Sequence, residues 1–414
     1  MRFYDVVIVG AGPAGLLAGL LLTRSRCHVA IFEAGPSFER SYRGETLTPG
    51  TQRILSDIGL WERVWALGGG DPAGITLAVG GRIYDIDLVG DPSMRVRQVP
   101  QPAFLDLLSH EARENGALVQ LGTRVRGLIR EGGRMSGITI VENGEVETIR
   151  SRVVIAADGR FSVARRDAEI PLRETRVPFD LLWTSGRGGG EKRRVQIIVD
   201  DNEPFIAFPT TAHGAQIGWL IRKGSYPSIR AHGIEWIRDR IDRALRLAPE
   251  RLTLAIESFA DLSLLPTVSQ IAPRWTVPGL LLIGDAAHPM SPVGGQGINV
   301  AIGDAVVAAR AIAPAVREGS DDASIDAALA AVERERAPAI LRVTRQQNLL
   351  PSILRLVGPE RALSWLAPLG ERIAKRGTLP APLRAMVDRF LLGDPPVRAH
   401  HGPWMTTPVP TKFL

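Results

Sequence analysis

The first thirty-three residues constrain this chain more than any other stretch. Val6 to Val9 is a short, largely β-branched apolar run, the pattern of a buried parallel strand. Gly10-Ala11-Gly12-Pro13-Ala14-Gly15 follows and opens a run of small and aliphatic residues, Ala14 to Leu22, of helical length. A second apolar run, Val29 to Phe32, ends at Glu33 and Ala34. The spacing predicts a strand–helix–strand unit with a mechanical logic. Gly10 allows the tight turn, Gly12 lets backbone N–H groups approach a pyrophosphate, and Gly15 lets helix and strand pack closely. The helix N-terminus favours phosphate charge, and Glu33 is placed to accept both hydroxyls of an adenosine ribose. An ordinary glycine turn needs neither the flanking strand and helix nor the acid. Together they point to a dinucleotide.

At 414 residues the chain is long enough for two or three packed lobes. Its formal charge of +6 is carried almost wholly by arginine, the lysines being Lys192, Lys223, Lys375 and Lys412. With no dense basic run or nucleic-acid motif, no nucleic-acid partner is expected. A mildly basic surface suits anionic cofactors or a membrane face. The single cysteine, Cys27, excludes an internal disulfide, reads as buried packing and fits a reducing cytoplasm. The N-terminal apolar stretch is broken by glycines and lacks a basic leader region, so no signal peptide is expected. No uninterrupted apolar segment reaches spanning length.

Along the chain, Pro36 to Pro49 reads as a loop carrying Arg40, Arg43 and Glu45, and Gly50 to Trp65 as one amphipathic helix. Residues 75–99 alternate as short antiparallel strands, and Pro102 to Asn115 is helical. Leu118 to Leu121 reads as a strand, then Val125 to Ile129, Gly137 to Val141 and Val146 to Ile149 as a meander. A separate strand, Val153 to Ala157, returns to the first sheet. Arg194 to Val199, Phe205 to Phe208 and Gln216 to Ile221 predict a larger antiparallel sheet beside a helix, Ile234 to Leu245. After the strand Leu280 to Ile283, a helical region with breaks runs from Gln296 to about Leu392, before an extended, proline-rich tail.

Two more glycine–acid motifs sit at the ends of apolar strands. One is Ile155-Ala156-Ala157-Asp158-Gly159-Arg160-Phe161-Ser162-Val163-Ala164-Arg165. The other is Leu281-Leu282-Ile283-Gly284-Asp285-Ala286-Ala287-His288-Pro289, continuing through Pro292-Val293-Gly294-Gly295-Gln296-Gly297-Ile298-Asn299. Each puts an acid and a glycine where a parallel strand leaves its sheet, the place such folds bind ligands. Asp285 can hydrogen-bond a polyol, and Gly294 to Gly297 can offer N–H groups to an anion or an electron-rich ring edge. As isolated features, Asp158 and Asp285 could equally be turn acids; the fingerprint beside them tips the balance. His288 reads at least as readily as a structural hydrogen-bonding histidine as a proton carrier, His213 as a solvated loop residue rather than a base, and Trp183 and Trp219 as core rather than a substrate platform. Arg165 and Arg166 suggest a solvated face, though Arg165 also fits the motif that begins at Asp158-Gly159.

Over residues 3–350 these motifs, in this order, resemble the single-component FAD-dependent aromatic hydroxylases, the para-hydroxybenzoate hydroxylase-like flavoprotein monooxygenases. The resemblance implies an α/β fold: a GR2-type, Rossmann-like FAD-binding domain interleaved with an antiparallel substrate lobe and followed by a C-terminal helical segment. In these terms residues 1–74, 100–170 and 267–335 form the FAD-binding domain and 75–99 with 171–266 the substrate-binding lobe. Residues 336–392 are the helical region, opening at Arg336-Ala337-Pro338, and 393–414 the tail. The resemblance also implies that Glu33, Arg43, Gln101, Val125, Asp158, Gly159, Gly284 and Asp285 contact FAD, with Asp158 also serving a transient NADH or NADPH. Pro292, Gly294, Gly295, Gly297, Ile298 and Asn299 would lie along the isoalloxazine, and no side chain is assigned as catalyst. Gln101 departs from the arginine common at its position and can donate only as a neutral group.

The expected activity is hydroxylation or epoxidation of an electron-rich, aromatic or polycyclic small molecule with NAD(P)H and O2, through a flavin C4a-hydroperoxide. A monomer or homodimer in the cytoplasm is expected, with no metal. A halogenase would need a substrate-side lysine and the Trp-x-Trp-x-Ile-Pro signature, and an isoprenoid-reducing flavoenzyme a cysteine that Cys27 does not supply. A non-catalytic flavin- or ligand-binding protein is the alternative of another class.

Overall fold

The computed structural model describes residues 2–39, 46–72, 74–87, 95–142, 144–175, 177–188, 194–209, 214–249, 252–364, 368 and 396–399. Two large sheets organise them. The first is built outward from Arg2–Val9, flanked in parallel by Val29–Phe32 and Glu145–Ala156 and extended in parallel by Leu118–Gln120 and Leu280–Leu282. Val6 to Val9 read as an unbroken apolar run because both faces are covered and all four are buried. The register aligns Val9 with Phe32 on one side and Ala156 on the other, and Ala156 with Leu282. Four strands therefore stop at one level. The residues that follow them, Gly10, Glu33, Asp158 and Asp285, leave along one edge, where the strand order reverses.

The meander differs from the expectation in one respect. Glu145–Ala156 is a single 12-residue strand, pairing antiparallel with Arg134–Glu142 and in parallel with Arg2–Val9. The polar Arg150-Ser151-Arg152 reads as a break, but Arg150 donates to Ser136 and Arg152 to the Val316 carbonyl, so the strand runs through.

The second sheet has the order Leu252–Leu254, Phe179–Gly188, Gly214–Arg222, Glu203–Pro209, Val195–Asp200, Gly74–Val79, Arg82–Asp87, with Ser263–Leu265 also on Phe179–Gly188. The sequence reading passes over Phe179–Gly188, because Asp180, Gly186 and Gly188 interrupt its apolar pattern. Two of these interruptions have a structural cause. Asp180 accepts the N–H groups of Gly224 (2.9 Å) and Thr267 (3.0 Å), and a Cβ at Gly186 would lie 2.6 Å from Ile217 Cδ1. One face of this sheet is core: Phe205, Ile217 and Trp219 pack against Ile237, Ile241 and Leu245 of the helix Ile234–Leu245.

The expected helix Gly50 to Trp65 is two, Pro49–Asp57 and Trp61–Ala66, broken where Gly59 takes φ +72°. Helices Gln296–Arg317 and Asp322–Val357 pack on the core of the first sheet; the second is a single helix of 36 residues. Among the described residues one stretch, Val293–Arg317, is long and apolar enough to cross a membrane by composition, yet 78% of its most apolar window is buried. Asp304 and Arg310 interrupt this stretch, which is therefore not an uninterrupted apolar segment. Most of the tail lies outside the described residues; within it Arg398 pairs with Asp57 at 2.7 Å.

Candidate active site

The strand ends open into one cavity of about 690 Å³. Gly10, Gly12, Pro13, Ala14, Glu33, Ala34, Gln101, Val125, Asp158, Gly159, Gly284, Asp285, Pro292, Gly295, Gly297 and Ile298 all line it. The three fingerprint glycines separate by geometry. Gly10 takes φ +99°, and a Cβ there would lie 2.5 Å from the Ala157 carbonyl oxygen. At Gly15, which does not line the cavity, a Cβ would meet the Gly10 carbonyl oxygen at 2.0 Å, so this glycine serves helix–strand packing. A Cβ at Gly12 would meet nothing within 4 Å: this glycine faces open space at the N-cap of helix Pro13–Arg24.

Glu33 is fixed at the cavity wall by the N–H groups of Ala11 (2.8 Å to Oε2) and Gly35 (2.9 Å to Oε1). Asp158 caps the turn after its strand, Oδ2 accepting from Val163 (2.7 Å) and Ala164 (3.2 Å). Its Oδ1 is buried and has no partner. Burial pushes the Asp158 carboxyl above the usual carboxylate range, against hydrogen bonds from Ser162 and the backbone that favour its charge. Arg165 is not on a solvated face. It is buried and donates to the carbonyls of Ala286 (2.9 Å) and Arg160 (3.1 Å), binding the second motif to the third, whereas Arg166 is exposed. Asp285 lies 3.7 Å from Arg160, a cavity residue absent from the sequence-based set, whose Nε is buried without a partner.

The strap from Gly284 to Gly297 forms another wall. Gly294 and Gly295 both take left-handed backbone, with φ +73° and +63°. Gly295 faces the cavity but Gly294 does not. Asn299 does not reach it either. Its Oδ1 accepts from Thr48 N (2.9 Å), Thr48 Oγ1 (3.2 Å) and Thr51 Oγ1 (2.7 Å) and its Nδ2 donates to the Thr46 carbonyl, while a second Nδ2 bond goes to the Gly295 carbonyl, so that Asn299 ties the strap to residues 46–51. His288 is structural: buried, its Nε2 sits 2.6 Å from Oδ2 of the fully buried Asp304. Asp304 also accepts from Gly284 N (3.0 Å) and Arg336 Nε (2.7 Å). An acid inside the apolar helix Gln296–Arg317 is the sequence signal that would have found it. Arg43 and His213 lie outside the described residues.

Part of the cavity wall is aromatic. Trp183 and Phe208 line it, with ring centroids 6.2 Å apart, beside Gln216, Leu265 and Met290, while the largely exposed Phe161 stands at its wall. Trp219 is core, as its sequence context suggests; Trp183 is not purely so. Reading both alike follows from missing the strand Phe179–Gly188, which turns residue 183 to the face opposite Trp219. No lysine lines the cavity among the described residues, and no group of His, Cys, Asp or Glu there could hold a metal.

A dinucleotide fits this cavity. A glycine open to space stands at a helix N-terminus, an oriented acid ends the second strand, and the unpartnered Asp158 oxygen needs a donor.

Comparison with known proteins bears on the same residues. The family model described as FAD binding domain matches residues 3–347. A 6-methylpretetramide 4-monooxygenase of Streptomyces rimosus is 33% identical over 399 residues, 95% of this chain and 93% of that protein. A 1H-pyrrole-2-carbonyl-(peptidyl-carrier protein) brominase of Pseudoalteromonas luteoviolacea is 26% identical, over 77% of this chain and 79% of the other. The crystal structure of p-nitrophenol 4-monooxygenase PnpA from Pseudomonas putida DLL-E4 shares the fold. Its TM-score is 0.78 at 17% identity, covering 94% of this chain and 98% of that one.

Proposed function

The chain belongs to the FAD binding domain family, as an FAD-dependent monooxygenase of the para-hydroxybenzoate hydroxylase-like superfamily, and from that premise we propose that it hydroxylates a planar, polycyclic aromatic small molecule with NAD(P)H and O2. The observation that carries the reading is the single cavity shared by the strand-end groups Gly12, Glu33, Asp158 and Asp285 and by the aromatic residues Trp183 and Phe208. One enclosure then serves both cofactor and substrate.

Bound FAD would supply the storage of two electrons and the activation of oxygen. The protein's part is to bind, orient and keep water out. Gly12 to Ala14 would offer backbone N–H groups and a helix N-terminus to the pyrophosphate, and Glu33 its carboxylate to the adenosine ribose. Asp158, with an oxygen left unpaired, and Asp285 would take hydroxyls of the polyol chain. Pro292, Gly295 and Gly297 would lie beside the ring system, where left-handed glycine lets backbone approach it closely. Trp183, Phe208, Leu265 and Met290 supply the apolar side that excludes water from a reacting aromatic ring.

The substrate proposal draws on the Streptomyces rimosus relative and the aromatic part of the cavity wall. The brominase relative favours a halogenating alternative, which needs a lysine on the substrate side; the described wall lacks one. The test is to incubate FAD-loaded protein with NADPH or NADH, 6-methylpretetramide and isotopically labelled dioxygen. One labelled oxygen in the product is expected. Reductant consumption with no labelled product, or halide-dependent halogenation, would overturn the reading. A cytoplasmic location belongs to the same proposal, drawn from the single, buried cysteine, Cys27.

A further inference from the structure

The second sheet has two unlike faces, set by strand alternation. Phe205, Ile217 and Trp219 point to the helical core, while Phe208, Gln216 and Trp183 point to the cavity. The register makes this a designed patch. Gln216 pairs directly with Phe208 on one neighbouring strand and with Ser185 on the other, two residues along from Trp183. Trp183 itself pairs with Gly218, where an added Cβ would stand 3.0 Å from the Trp183 ring. A glycine there lets the indole lie across the sheet, tilted 46° to the Phe208 ring.

Within this patch Gln216 is partly buried, and its side-chain amide has no hydrogen-bond partner among the described residues. Its polar neighbour in the wall, Thr267, spends its hydroxyl on the Phe179 carbonyl. A bound ring that covers this amide must meet it with a hydrogen bond or leave it unsatisfied at a cost.

We propose that Gln216 is the specificity-determining residue of the substrate subsite, hydrogen-bonding a ring oxygen of an aromatic substrate that lies against Trp183 and Phe208. The inference rests on the aromatic-monooxygenase reading. Gln216 thereby sets which way the ring is turned, and Gly218 keeps the platform flat.

The test uses FAD-loaded protein and a matched pair of probes, 2-naphthol and naphthalene, followed by perturbation of the flavin absorption band. Wild-type protein is expected to bind 2-naphthol about tenfold more tightly than naphthalene, the worth of one well-made hydrogen bond. Gln216→Leu should bring the two within about twofold of each other. Gly218→Ala should weaken both probes. A preference for 2-naphthol that survives in Gln216→Leu would overturn the proposal. So would a wild-type flavin band that neither probe perturbs. A wild-type chain that takes up no FAD would overturn the proposal together with the reading beneath it.

Discussion

Gln347, on the helix Asp322–Val357, donates its side-chain amide to the Ser291 carbonyl at 3.0 Å, and the same nitrogen reaches the Val293 carbonyl at 2.7 Å. One buried side chain thus holds, from behind, the strap whose other side faces the cavity. A carbonyl turned toward Gln347 turns the next N–H of its trans peptide away from it, so the bond at Val293 also sets the direction of the Gly294 N–H. Gln347→Leu keeps the bulk and removes both bonds. Each buried carbonyl left without a donor costs about 1–3 kcal/mol. The variant is expected to melt at lower temperature and to bind FAD about tenfold more weakly, as measured by thermal melts with and without FAD.

Asp304 anchors the other end of the same strap. Burial alone would raise its carboxyl, but His288 and Arg336 outweigh that and hold it below the usual carboxylate range. A depressed acid contributes stability above its unfolded pKa, near 3.8, which is lost as pH falls through the folded value. Asp304→Asn leaves Arg336 buried without its counter-charge and should cost about 3–5 kcal/mol in denaturant unfolding at neutral pH.

The fingerprint glycines give a clean separation of folding from binding. Gly10→Ala requires a Cβ 2.5 Å from a backbone oxygen at φ +99° and should yield little folded protein. Gly12→Ala meets nothing in the protein. It should fold with an unchanged melting temperature in the absence of FAD and yet lose FAD affinity by at least about a hundredfold, because its methyl occupies the space of the pyrophosphate. Equal damage to the fold by both substitutions would refute this division.

Asp158 predicts a pH signature in the protein without cofactor. Its carboxyl is raised above 3.8, so the folded state holds its proton more tightly than the unfolded chain does. That stability is full below the unfolded value and fades as pH rises through the folded one. Asp158→Asn keeps an oxygen for the Val163 and Ala164 N–H groups and abolishes the titration. Thermal melts between about pH 4 and pH 8 should show the variant gaining on the wild type as pH rises.

Legibility in the sequence followed how local each cause was. The βαβ unit and the three strand-end acids could be read because turn, strand and helix signals there span a few residues. Their convergence depends on parallel register, Val9 beside Phe32 and Ala156, to which the motifs pointed but which no local pattern states. The strand Phe179–Gly188 was hidden because a glycine needed for close packing looks, in sequence, like a turn. With it went the orientation of Trp183. Asn299 sits inside a motif, yet its side-chain hydrogen bonds go to the protein; only the geometry tells clamp from contact. The support by Asp304 and Gln347 reaches across 20 and 56 residues and leaves no periodic trace.

A crystal structure of the FAD-loaded protein tests the central claim most directly. A single FAD molecule should run the length of the cavity. Its pyrophosphate should lie at Gly12, its adenosine ribose on Glu33, and Asp158 and Asp285 within hydrogen-bonding distance of the same molecule. Density for FAD away from that edge, or touching some of those four residues while the others face a different chamber, would contradict it.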